Sequence, residues 1–202
     1  MLEFRRAQTD EEMNQIFSLR YKVYCLEKGF LPKEQYPDET ESDKFDQRSA
    51  HFFAVDTSDL SQPLGYVRLI LNSEIGFPVV NHFQLGKPIM DMNSVTEISR
   101  LIVPKEFRHQ TLYILMGLCK EIYLYCRENN IQGCYAVLEP TLQRMLKGFG
   151  LPFKVAGSTR FYMGADITPV YLNFAEAEIV LSENNVLFFE YLHLPRGVQL
   201  YI

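Results

Sequence analysis

The sequence predicts a mixed α/β fold, α+β in its chain order, with one mixed central sheet flanked by helices. Three observations predict it. Strand-like stretches come first, as an antiparallel meander joined by turn residues; the longest helical stripe lies between the fourth strand and the fifth; and 202 residues, 47% of them hydrophobic, suffice for one buried core and are short for two. A single domain over residues 1–202 is therefore expected.

A short first strand runs from Leu2 to Ala7, and Thr9 or Asp10 then caps a helix whose apolar positions Met13, Ile16, Phe17, Tyr21 and Tyr24 recur at helical spacing. That helix should end near Gly29. Residues Phe30 to Gln47, rich in Pro, Asp, Glu and Lys, follow neither period and read as a covering loop. Strands are predicted over His51 to Asp56 and Leu64 to Asn72, with hairpin-loop residues between them. An irregular stretch holding Pro78 and Pro88 leads to a strand from about Val95 to Val103, which Pro104 ends. The long helix is expected from His109 to Asn129, then a strand Cys134 to Leu138, a short helix Leu142 to Gly148, and strands Lys154 to Met163 and Val170 to Phe174. The final stretch is ambiguous; Ala175 to Asn184 and Val186 to Leu192 are compatible with helices on the sheet, Pro195 closing the second.

Composition excludes several functions. A formal net charge of -5 with no dense run of Lys and Arg argues against a nucleic-acid partner, since phosphate affinity comes from clustered cations. No apolar run approaches the roughly 20 residues of a membrane span, and no signal-like segment opens the chain, so a cytoplasmic protein is expected. Cys25, Cys119, Cys126 and Cys134 lack metal-site spacing and read as reduced core thiols, and the histidines at 51, 82, 109 and 193 are scattered. No metal is expected.

The chemistry-bearing residues are mostly charged. Helical spacing puts Arg20 on a stripe with Ile16 and Tyr24, where it either faces an anion or pairs structurally with Glu41 or Glu39. Strand alternation puts Arg68 on one face with Tyr66 and Ile70, and a buried arginine needs a partner there, a structural carboxylate or a substrate's. In the strand from Val95, regular alternation separates Glu97 and Ser99 from Arg100. A bulge would let Glu97 and Arg100 approach one site and free a backbone N–H as an oxyanion donor; without it, Glu97 reads as a cross-strand partner of Arg68. Asp43 and Asp46 sit in an acidic run that is either a solvated face or a segment docked through Phe45.

The element order is similar to that of the GNAT acyltransferase superfamily. Read together, Arg20-Tyr-Lys-Val-Tyr-Cys, Glu41-Ser-Asp-Lys-Phe-Asp, Gly65-Tyr-Val-Arg-Leu and Glu97-Ile-Ser-Arg-Leu resemble the acyl-homoserine-lactone (autoinducer) synthases over about residues 15 to 105. Long-chain N-acyl amino acid synthases and exosortase-associated acyltransferases are closer in texture; Glu139-Pro-Thr-Leu-Gln-Arg-Met-Leu and the glycine-bearing segment 148–157 extend that likeness toward residue 170. By that resemblance Arg20, Asp43, Asp46 and Arg68 correspond to the substrate-binding cluster, and Glu97, Ser99 and Arg100 are the expected catalytic residues.

The resemblance implies direct N-acyl transfer from a thioester to the amine of an amino acid or a derivative. Glu97 would deprotonate the ammonium, Asp43 and Asp46 would attract it, and Arg100 or Arg68 would bind the carboxylate. Two departures qualify it. The autoinducer synthases carry a tryptophan after the first arginine motif, whereas this chain has none and places Phe30 nearby, which speaks against S-adenosylmethionine as acceptor. The start of the long helix, Phe107-Arg-His-Gln-Thr-Leu, lacks the glycine that cradles coenzyme A pyrophosphate. No tightly bound cofactor is expected; the co-substrate is an acyl-phosphopantetheine thioester, on an acyl carrier protein in preference to coenzyme A, with Lys105, Arg108 and His109 as the carrier-docking residues or else a solvated helix start. The alternatives are an acetyl-coenzyme A-dependent N-acetyltransferase and a non-catalytic fold that binds an acyl ligand or a partner.

Overall fold

A computed structural model describes residues 1–86, 91–162 and 164–198. Strand β1 (Leu2–Arg6) pairs antiparallel with β2 (Ser49–Asp56), Leu2 opposite Asp56 and Arg6 opposite Phe52. Between them lies α1 (Asp10–Tyr21). Its start is written in the sequence: the Thr9 hydroxyl accepts from Glu12 N–H and the Glu12 carboxylate accepts from Thr9 N–H, a reciprocal cap. The helix widens into a π-helical turn over Lys22–Glu27 and ends at Gly29, whose φ of +62° is a conformation glycine adopts at little cost.

Strand β3 (Asp59–Ile70) follows β2 after a turn at Thr57 and Ser58, so most of the predicted hairpin loop is strand. A short helix α2 (Pro78–His82) occupies the stretch expected to be irregular, and Pro88 lies outside the described residues. Then come β4 (Val95–Ile102), α3 (Thr111–Glu128), β5 (Gly133–Leu138), α4 (Pro140–Gly148), β6 (Lys154–Val155), β7 (Arg160–Tyr162), β8 (Ala165–Asn173), α5 (Phe174–Asn184) and α6 (Val186–His193). The strand expected over Lys154 to Met163 is two short ones, broken around Gly157; a Cβ there would lie 2.5 Å from the Gln84 carbonyl oxygen, so only glycine permits that approach. Met163 itself lies outside the described residues. The last strand starts five residues earlier than predicted, at Ala165 and not Val170, and Phe174 already belongs to α5, whose N-terminus Asn173 caps by accepting from Glu176 N–H.

The chain gathers into two compact units, Met1–Leu69 with Arg100–Ile122, and Ile70–Ser99 with Tyr123–Ile202. The first takes strands in the order β1-β2-β3 and then the end of β4; the second takes β4-β5-β8-β6, with β7 also on β8. β4 and β5 run parallel while β5–β8, β6–β8 and β7–β8 are antiparallel, which makes the sheet mixed as predicted. In the first unit Ile16, Leu19 and Val23 from α1 pack on Phe53, Val55, Tyr66 and Ile102. Helix α3 lies close against β3, since a Cβ on Gly65 would meet Ile114 Cγ2 at 2.4 Å. In the second unit Cys134, Leu172 and Ala177 form a smaller cluster with Ile98, Leu151 and Phe153 against it.

Candidate active site

Arg20, in the last turn of α1, is fully buried, and Arg68 in β3 is 1% exposed. Removing an unpaired guanidinium from water costs several kcal/mol, so each must find carboxylates. The loop after α1 supplies them. Glu41 N–H donates to the Phe17 carbonyl, which pins the loop onto α1 and brings the Glu41 carboxylate within 2.6 Å of Arg20 Nε. Arg20 Nη1 donates to Asp46 Oδ1 at 2.6 Å. Arg68 Nη1 donates to the same Asp46 oxygen and to Asp43 Oδ1, both at 2.7 Å. Arg100 closes the set, with Nη2 to Glu41 Oε1 at 3.0 Å and to Asp43 Oδ2 at 3.2 Å.

Arg20, Arg68 and Arg100 are thus joined by ion pairs to Glu41, Asp43 and Asp46, and the formal charges of these six residues offset one another. The loop is shaped to present its acids: Asp46 Oδ2 accepts from Asp43 N–H and Asp43 Oδ1 accepts from Phe45 N–H, so both carboxylates also order their own turn. Burial works to raise the Glu41 carboxyl, but the Arg100 and Arg20 guanidiniums override it and bring it down to about 2. Burial likewise opposes ionisation of Asp43 and Asp46, and the arginines hold both below the usual carboxylate range. Arg20 Nη2 is the exception, buried with no hydrogen-bond acceptor among the described residues, while its guanidinium lies 5.4 Å from the Phe17 ring centroid. Arg100 sits over the Tyr24 ring at 5.3 Å.

The structure therefore brings Arg20, Asp43, Asp46, Arg68 and Arg100 together, and the acidic segment is docked through the buried Phe45. Arg20 pairs with Glu41, as the structural reading expected, and also with Asp46. Glu41, expected only as a structural partner, is a full member, touching both Arg20 and Arg100. Its place two residues before Asp43 in an acidic run was the available signal. His51 and Tyr66 also border the cluster: His51 Nδ1 is 2.8 Å from Tyr66 Oη and Nε2 is 3.0 Å from the Asp46 carbonyl oxygen.

Glu97 is buried in β4, and its Oε2 accepts from Val79 N–H at 2.8 Å, which ties α2 to the strand. Arg100 has a φ of +56°, a left-handed value that costs a non-glycine residue about 1–3 kcal/mol and interrupts regular strand alternation at that residue. Ser99 precedes it, half-buried. Lys105, Arg108 and His109 lie exposed on a short 3₁₀-helical segment, Lys105–Gln110, ahead of α3. Arg108 pairs with Glu27 at 3.0 Å and Lys22 with Glu106, so acids share this surface with the bases. Burial pushes the Cys119 and Cys126 thiols up to about 12. Among the described residues no group of His, Cys, Asp and Glu is arranged to hold a metal ion, and no helix is long and apolar enough to cross a membrane.

The model of one family, described as N-acyl amino acid synthase FeeM, matches residues 15–174. No curated protein matches. Among solved structures, a coenzyme A-dependent acyl-homoserine lactone synthase, BjaI, solved with SAM and isopentyl-CoA, is 19% identical over 98% of this chain and 92% of its own, with a TM-score of 0.70. FeeM, an N-acyl amino acid synthase from uncultured soil microbes, is 12% identical over 89% of this chain and 94% of its own, with a TM-score of 0.64. An acyl-CoA N-acyltransferase from Pseudomonas aeruginosa is 16% identical over 85% and 99%, at 0.57. At these identities the likeness speaks for the fold, which is of the GNAT acyltransferase type.

Proposed function

We propose, from the premise that this chain belongs to the N-acyl amino acid synthase family FeeM and is an N-acyltransferase, that it moves a fatty acyl group from an acyl-carrier-protein thioester to the α-amine of an amino acid. The observation that carries the acceptor class is the set of ion pairs among Arg20, Arg68, Arg100, Glu41, Asp43 and Asp46. Its members with the most access to solvent are Asp43, 26% exposed, and Arg100, 15% exposed, and their mutual contact at 3.2 Å is among its longest. A zwitterion can exchange with that pair, ammonium to Asp43 and carboxylate to Arg100, and leave the local charge balance unchanged. A simple amine or a fatty acid alone would leave one side unpaired, at a cost of several kcal/mol.

In the proposed reaction Glu97 takes a proton from the ammonium, directly or through water. The freed amine attacks the thioester carbonyl, the C–N bond forms and the C–S bond breaks, and the phosphopantetheine thiolate leaves and takes up a proton. A backbone N–H beside the irregular residue of β4 stabilises the oxyanion. Ser99 belongs to the same strand segment. Lys105, Arg108 and His109 are proposed to meet an acidic carrier, an attraction that weakens with salt. The missing glycine ahead of α3 supports the carrier-bound donor, whereas the isopentyl-CoA of the BjaI structure keeps acyl-coenzyme A as the second reading. The free thiols Cys25, Cys119 and Cys126 support a cytoplasmic setting, and residues 1–202 are proposed to serve as one acyltransferase domain.

The test mixes purified protein with long-chain acyl carrier protein, or with the matching acyl-coenzyme A, and a panel of amino acids and simple amines, and reads N-acyl products by mass spectrometry. N-acyl amino acid from the carrier thioester is expected. Acylation of simple amines alone would overturn the acceptor, and product from acyl-coenzyme A alone would overturn the donor. Bound lipid without turnover would refute the proposed reaction.

A further inference from the structure

One buried group at the cluster takes no part in its charge balance. His51 follows the Asp46–Arg48 turn at the start of β2, 6% exposed, with its ring stacked near Tyr66 at 6.0 Å and 14°. A carbonyl oxygen only accepts, so the ring nitrogen facing the Asp46 carbonyl, Nε2, carries a hydrogen. In a neutral ring Nδ1 is then bare, and the Tyr66 hydroxyl donates to it. Both ring nitrogens are thereby used, and the residue whose backbone His51 holds is Asp46, whose Oδ1 serves Arg20 and Arg68 at once.

We propose that His51, as the neutral Nε2–H tautomer, is a positioning residue for the acceptor site, holding the Asp46 main chain so that its carboxylate bridges two buried arginines. This rests on the acyl-transfer reading for its consequence and on geometry alone for its tautomer. The charged and titratable groups around the ring are Asp46 of the loop, Arg20 of α1, and Arg68 and Tyr66 of β3. A second ring proton would sit on Nδ1, against the Tyr66 hydroxyl, and would add a cation beside the Arg20 and Arg68 guanidiniums. Burial holds the imidazole below its ordinary value, Arg20 and Arg68 add to that, and Asp46 opposes it.

Two variants separate the ring's contacts. His51→Gln can present an amide N–H near the Nε2 position and keep the Asp46 contact, whereas His51→Asn can present an oxygen near Nδ1 and keep only Tyr66. The expected result is an acceptor KM raised about tenfold in the Asn variant with little change in kcat, and largely recovered in the Gln variant, in line with one buried hydrogen bond. The wild type should lose acceptor affinity as pH falls below about 6.5, the ordinary histidine value, and the Gln variant should lack that limb. Nitrogen-15 NMR of the imidazole should show Nε2 protonated and Nδ1 bare at neutral pH. An Nδ1–H ring or an imidazolium at neutral pH, or equal acceptor KM in the two variants, overturns the proposal. A protein that transfers no acyl group to amino acids refutes the acceptor role, while the NMR spectrum still decides the tautomer.

Discussion

Replacing Asp46 with asparagine changes the ion-pair network with little change of volume. Asp46 Oδ1 accepts from Arg20 Nη1 at 2.6 Å and from Arg68 Nη1 at 2.7 Å, and those arginines are 0% and 1% exposed. Removing one partner of a buried ion pair costs about 3–5 kcal/mol, because the remaining charge stays out of water. Asparagine retains one acceptor oxygen, which favours the lower end, about 3 kcal/mol. For a chain of this length each kcal/mol moves Tm by about 2–4 °C, so Asp46→Asn should melt roughly 6–12 °C below the parent. Calorimetry and urea unfolding both read this, and a cycle with Arg68→Met should give a coupling of about 0.5–3 kcal/mol between the two sites. A loss below about 1 kcal/mol, or additive effects of the two changes, would show that the network holds nothing together and would refute the reasoning.

Acid should destabilise the fold in a defined window. The Glu41, Asp43 and Asp46 carboxyls are lowered in the folded chain, so their contribution is present above the unfolded values near 4 and is lost as pH falls toward about 2, where Glu41 titrates; Tm measured from pH 5 to 2 should drop steeply, and a flat profile would contradict the pairing. Glu97→Gln keeps an oxygen for the Val79 N–H and should fold normally while losing about 10²- to 10⁴-fold in acyl transfer; undiminished turnover would remove Glu97 as the base. Gly117→Ala should destabilise by about 1–3 kcal/mol despite alanine's better helix propensity, since the added Cβ would lie 2.3 Å from the Phe4 ring; a gain in Tm would mean that β1 yields easily.

How much of this could be read from the chain depended on the range of each interaction. The Thr9 cap, the end at Gly29 of the helical stretch that α1 begins and the termination of β4 before Pro104 are local, and periodicity and capping chemistry locate them within a residue or two. The split of β6 from β7 escaped, because it depends on a backbone approach between Gly157 and Gln84, which lie far apart in sequence. Within the cluster, Arg20 and Arg68 were legible as cations on apolar faces that require partners. Which carboxylates answer them was not, since Glu41, Asp43 and Asp46 differ little as residue types and are told apart only by the fold of their loop. His51 gave no signal at all: its role depends on one carbonyl and one hydroxyl, neither of which has a spacing rule.

The cancellation of charge among Arg20, Arg68, Arg100, Glu41, Asp43 and Asp46 also constrains how the chain can change over generations. A lone substitution leaves a charged neighbour short of a partner and costs stability, so exchanges that change an arginine and its carboxylate together are the less costly route.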